Sequence, residues 1–376
     1  MRRHAPHPAW RRREFLAGVG ALPLLVVGCE QEGPATPIER WLAATGDDES
    51  SYGIVLASAD GEATVIHTGF RGHDLVHRPG SSRVIMFGRR PGTFAIEVDV
   101  ERGEIVRTLE AAEDRALQGH GCFTPDGRLL ITCEADIESG QGRLVVRDAD
   151  GLAILRELDS HGIGPHQIAL MPDGHTLVVA NGGILTRPET GADKLNLDTM
   201  RSSLAYVDLE TGYLIDEQLV AEPKASIRHL DVCPDGAVVV AMQIQREAMD
   251  HDEVVPLAGV HHPGSTLRPF DSGLDFVGAM EDYAGSVVAN PRTRVLAVTS
   301  PRGDLALFWN LDSGELMGHL PFHDVCGVAV SSDSGSFVLT GAGGQVRRVD
   351  ATNLQILSDI PGPFGAVRWD NHLIIT

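Results

Sequence analysis

One motif recurs seven times along this chain and decides what it can fold into. Its clearest copy is SHGIGPHQIALMPDGHTLVVANGG, residues 160–183, where the apolar runs Gln167 to Met171 and Thr176 to Ala180 flank Pro172-Asp173-Gly174. Proline fixes φ and glycine supplies a positive-φ position, so these three residues make a tight turn and the two runs a β-hairpin. Related pairs of short apolar runs occupy His73 to Phe87, Gly119 to Cys133, Arg228 to Ala241, Gly285 to Thr299, Cys326 to Thr340 and Gly365 to Thr376. Six of the seven hairpins precede a second alternating pair: Thr93 to Leu109, Arg143 to Leu158, Ser203 to Val220, Leu257 to Phe270, Asp304 to Leu320 and Gln345 to Ile360. The seventh finds its partner at the far end of the chain, in Gly53 to Ser58 and Glu62 to His67.

Four-stranded units repeated around an axis make a β-propeller, and a last blade drawn from both ends closes the ring. The expectation is an all-β, seven-bladed propeller over residues 52–376, its last blade built two strands and two from an N-terminal and a C-terminal hairpin. No apolar stripe of period 3.6 persists beyond a turn or two after the leader, which excludes a helical or α/β architecture.

Ahead of the repeats, Arg11-Arg12-Arg13-Glu14-Phe15-Leu16 has the twin-arginine form, and the apolar run Ala17 to Val27 is too short for a permanent membrane span. Val26-Val27-Gly28-Cys29 reads as a lipoprotein cleavage site, with Cys29 as the acylated first residue of the mature chain. Residues 1–28 are therefore expected to be an export signal and 29–51 a flexible tether, with one helical turn at Ile38 to Ala43. The destination is the periplasm, with a lipid anchor in a membrane. Twin-arginine export carries folded proteins, some with a metal already inserted.

The formal charge of −21 becomes −25 once a leader with five arginines and one glutamate is removed, so nucleic acid is not an expected partner. A monomer is expected, because a propeller grows by adding blades around its own core. Cys122, Cys133, Cys233 and Cys326 lie on strands and match no metal-binding spacing, so they read as buried free thiols. Two long insertions, Ile184 to Ser202 and Gln245 to Pro256, interrupt blades three and four between their second and third strands; loops of this length usually cover or build a site.

In a propeller the connection entering each innermost strand and the one joining the second and third strands emerge on the same face. Here they bring His73, His120, His161, His166, His229 and His323 toward one rim, with Arg89, Arg90, Asn181, Arg228 and Arg302. Imidazole is the commonest transition-metal ligand, so the histidines are candidates for a metal site holding iron or copper. The arginines and Asn181 suit a carboxylate or another anionic ligand. A purely structural alternative is the Gly-His of WD-type propellers, whose imidazole bonds within its own blade, with the arginines in ion pairs to Glu134, Asp136 and Asp324. No GxSxG, HExxH or phosphate-loop pattern is present.

The segments RRPGTFA, GHGCFTPDGRLL, SHGIGPHQIALMPDG, VVANGGI, KLNLDTMRSSLAYVDLETG, SIRHL and TSPRG, in that order, closely resemble the bacterial family called domain of unknown function 1513, over about residues 52–376. Members look like exported propellers, often encoded beside imelysin-type periplasmic proteins linked to iron uptake. The resemblance implies a metal-acquisition setting, with such proteins as partners, and carries over no catalytic residues. The expected function is a membrane-tethered periplasmic propeller that binds a metal, a metal chelate or a partner protein without catalysis. A propeller enzyme, lactonase or oxidoreductase, with its site at the channel mouth is one alternative, and a pure interaction scaffold the other.

Overall fold

Among the described residues, twenty-eight strands sort into seven antiparallel sheets of four. The computed structural model describes residues 39–376, apart from 91, 192 and 361–366. The leader and Cys29 lie outside that range. The sheets are the blades of a seven-bladed β-propeller, and in the first six the chain runs from the innermost strand outward through three antiparallel connections. Blade one begins at Gly72–His77, blade two at Arg115–Phe123, blade three at Pro165–Leu170 and blade four at Ala225–Val232. Blades five and six begin at Ser286–Asn290 and Val325–Val330.

The hairpin read most clearly in the sequence forms as expected. Pro165–Leu170 pairs with Thr176–Asn181, and the turn closes through the Gly174 amide, which donates to the Met171 carbonyl at 2.9 Å with Gly174 at φ +77°. Second and third strands are buried on both faces, sandwiched between neighbouring blades, whereas the outermost strands are largely exposed, as in Glu104–Glu110. The core therefore lies between blades: Val178, Leu204 and Tyr206 of blade three pack with Val238 and Val240 of blade four.

Blade seven departs from the expected two-and-two closure. It contains three strands from the N-terminal side, Arg40–Thr45, Gly53–Ser58 and Ala63–His67, and one from the C-terminal side, Ile374–Ile375, in the innermost place. Residues 40–45, expected in the tether and in part as a helical turn, are its second strand, so the ring begins about a dozen residues earlier than anticipated. The reason is alternation: Trp41 and Ala43 pack toward blade six, while Leu42 and Ala44 pack toward blade one. Trp41 is fully buried and its Nε1 donates to Glu39 at 2.9 Å. Trp369 and Ile374–Ile375, expected on separate strands, flank the same N-terminal strand: Trp369 bridges Thr45, and Ile374 and Ile375 pair with Leu42 and Trp41.

Both insertions fall where expected, between Thr176–Asn181 and Ser203–Asp208 and between Val238–Ile244 and Ala258–His261. The four cysteines are free thiols, three buried and Cys122 half-buried. No helix among the described residues is long and apolar enough to cross a membrane.

Candidate metal centre

Five of the seven innermost strands slip register against their neighbours at the same level. The slips fall between Gly72 and Leu75, Leu117 and Gly121, Pro165 and Gln167, Ile227 and His229, and Val325 and Val328. Blade seven does the same, because the three steps from Thr45 to Leu42 face five from Trp369 to Ile374. A bulge breaks the in-out alternation and re-aims a side chain. In blades one to four and in blade seven the bulge contains or adjoins a histidine: His73, His120, His166, His229 and His372. All five are buried, none more than 8% exposed.

The five imidazoles converge on the axis. Ring centroids are 4.8 Å apart for His73 and His120, 4.6 Å for His120 and His166, and 5.0 Å for His166 and His229. The circuit closes through His229 and His372 at 4.5 Å and His372 and His73 at 4.9 Å. Two triads, His73-His120-His166 and His120-His229-His372, each offer nitrogen atoms within 4.8 Å of one another. His120 belongs to both. Its Nδ1 lies 2.9 Å from the Asp74 carboxylate of blade one and its Nε2 3.1 Å from His73 Nε2. It therefore bonds across blades, unlike the within-blade Gly-His of the structural alternative. A carboxylate behind an imidazole fixes the ring and raises its basicity, the usual support of a metal-bound histidine. His229 Nδ1 meets Gln167 Oε1 at 3.2 Å, while His73 Nδ1, His166 Nδ1 and His372 Nε2 have no hydrogen-bond partner.

Burial pushes His73, His166 and His229 well below the ordinary imidazole range, and neighbouring imidazoles add to the effect. Burial likewise lowers His372, to about 4, although the Asp74 carboxylate pulls the other way. Neutral imidazole is the form that binds metal.

Above the cage lies a cavity of about 250 Å³, lined by His73, His166 and His229 together with Arg89, Arg90, Arg228 and Arg302. Lys194 of the first insertion and Gln245 of the second reach it as well. Arg89 is paired with Asp370 at 3.2 Å, and Arg302 stands over the Tyr283 ring at 4.4 Å. Arg228 is 2% exposed with no acceptor at Nε or Nη1, and Arg90 has a buried Nη1 in the same condition.

Three expected site residues lie elsewhere. His161, at φ +59°, turns outward and bonds the Gly212 carbonyl at 3.0 Å. His323 is exposed and paired with Asp304 at 3.1 Å. Asn181 is buried but donates to the Ser160 carbonyl at 2.8 Å and does not line the cavity. The carboxylates expected to neutralise the rim are engaged with other partners, Glu134 with Arg147 at 2.6 Å and Asp136 with Arg115 at 3.4 Å. His372 escaped the sequence reading, although, like His73, it stands just before an apolar run; a search for histidine at that position, rather than for complete hairpins, finds it.

A solved structure titled Kuenenia stuttgartiensis Hydrazine Synthase shares this fold with a TM-score of 0.62, covering 81% of this chain and 90% of that one at 14% sequence identity. No curated protein matches the chain. The match that spans most of the sequence is to a family model, over residues 66–376, and by it the chain belongs to the family described as Protein of unknown function (DUF1513).

Proposed function

We propose that this propeller binds a transition metal ion, iron or copper, in its axial histidine cage, as a non-enzymatic component of a metal-acquisition system. The observation that carries the reading is the convergence of five buried imidazoles from five blades, with unpartnered nitrogens at His73, His166 and His372. Leaving buried polar nitrogens unpaired costs about 1–3 kcal/mol each, a loss that coordination to an ion would offset. The donor set of nitrogen alone suits a borderline transition metal rather than magnesium or calcium. Glu134, a carboxylate that a hydrolytic site could use, is buried against Arg147 in blade two and does not line the cavity.

The setting proposed with it is the periplasm, with the ring tethered through an acylated Cys29 and imelysin-type iron-uptake proteins as partners. A Cys29→Ser variant is expected in the soluble periplasmic fraction; finding it on the membrane would remove the anchor.

Metal analysis of the protein purified from the periplasm tests the main reading. About one equivalent of metal is expected in the native protein and none after His120, His166 and His229 are all changed to Ala. Absence of metal in both, together with no uptake of Fe(II) or Cu(II) by the metal-free native protein, would end it.

A further inference from the structure

We propose that the cavity above the cage seats an oxyanion between Arg90 and Arg228, so that the metal is held together with an anionic co-ligand. This rests on the metal reading just given. The chemistry of the ligand is that of a carboxylate, carbonate or phosphate: two or more oxygens able to accept from a guanidinium fork.

Arg228 follows Ile227 at the register slip of blade four, directly before His229, so one bulge delivers both a guanidinium and an imidazole to the cavity. A guanidinium does not shed its proton in a protein, so burying Arg228 buries a charge. Buried charges are normally paired, yet the nearby carboxylates are committed elsewhere. Asp282 accepts from Arg246 at 2.8 and 2.7 Å, Asp370 from Arg71 at 2.8 Å and Arg89 at 3.2 Å, and Glu247 from Lys194 at 2.5 Å. Arg90 lowers Arg228, and both disfavour charge on His166, which places the three groups in one electrostatic neighbourhood.

Two arguments then converge. The arginines lack an anion, and a divalent cation entering a cage of neutral imidazoles beside two guanidinium groups lacks one too. A single oxyanion satisfies both. The remainder of the molecule makes the contrast sharper, since a chain of formal charge −21 concentrates Arg89, Arg90, Arg228, Arg302 and Lys194 at this cavity. The oxyanion has two sources, free carbonate or phosphate, or the carboxylate of a chelate that delivers the metal.

The test titrates Cu(II) into the full metal-free protein in carbonate-free chloride buffer, then with added bicarbonate, phosphate or citrate. It is repeated with Arg228→Met, Arg90→Met and the charge-keeping Arg228→Lys, each checked for folding by circular dichroism. At least tenfold tighter binding in bicarbonate or phosphate identifies a free oxyanion. Copper and citrate retained together, one to one, through gel filtration identify a chelate. In either case the effect is expected to vanish in Arg228→Met and to be partly kept in Arg228→Lys. Copper affinity indifferent to all three anions, or an enhancement that survives both methionine variants, overturns the proposal while leaving the metal reading in place. If copper does not bind at all, phosphate or citrate alone should still raise the melting temperature of the native protein but not of Arg228→Met. That outcome would support the anion seat and end the metal reading, and a null thermal shift would end both.

Discussion

Gly119 shows how closely the cage is specified by single residues. It sits at φ +93° in the blade-two bulge, and a Cβ there would stand 2.7 Å from His73 Cδ2. Gly119→Ala therefore both strains the backbone and displaces a neighbouring blade's imidazole; a loss of about 1–3 kcal/mol in urea unfolding is expected, with metal affinity weakened although no ligand is removed. The histidines also set a pH dependence. The folded pKa values of His73, His166, His229 and His372 lie below 6.5, with His372 at about 4, so the unfolded chain takes up protons there in a range where the folded ring does not. Stability should thus be fullest above pH 6.5 and decline as pH falls toward about 4, at roughly 1.4 kcal/mol per pH unit for each histidine that stays neutral. Melting temperatures measured from about pH 7 to pH 4.5 should fall, less steeply in His372→Gln. Four of the five cage histidines were legible in the sequence because each stands beside a repeated Gly, Pro or Arg signature at a strand entrance. His161 and His323 share that neighbourhood yet point away, because side-chain direction depends on the bulge rather than on distance along the chain.

Closure of blade seven depends on Arg40–Thr45, whose opposite faces contact blades six and one. Trp41→Ala should cost about 3–5 kcal/mol, since a fully buried indole is lost from a seam that cannot collapse without shifting a blade. A chain beginning at Gly46 should lose its cooperative melting transition, whereas one beginning at Glu39 should keep it; equal melting of the two would refute the strand assignment. This element was hard to read because Trp41-Leu42-Ala43-Ala44 is apolar without a break. A strand buried on both faces loses the alternation that betrays a half-exposed one, and a run of four fits a helical turn equally well. The other blades were legible because each opens with a hairpin whose turn or polar linker is visible in the sequence.

At the scale of the whole ring, the proposed metal site would couple ion binding to the fold. An ion held by five blades binds only the closed propeller, so saturating it at about a hundred times its dissociation constant should add about 2.7 kcal/mol to stability. Calorimetry should find the native protein stabilised by Cu(II) and His120→Ala, which breaks both triads, almost unaffected. His372 gives that coupling a direction in time. The strand segment carrying it is translated after every other blade, and it is also the segment that pairs with Arg40–Thr45 to complete the ring. Of the two triads, a chain in which blade seven has not closed can offer at most His73-His120-His166, so the full five-histidine cage would be available only to the closed ring. Occupancy of the fifth position would report that the ring has closed, making the metal a certificate of assembly as well as a cargo.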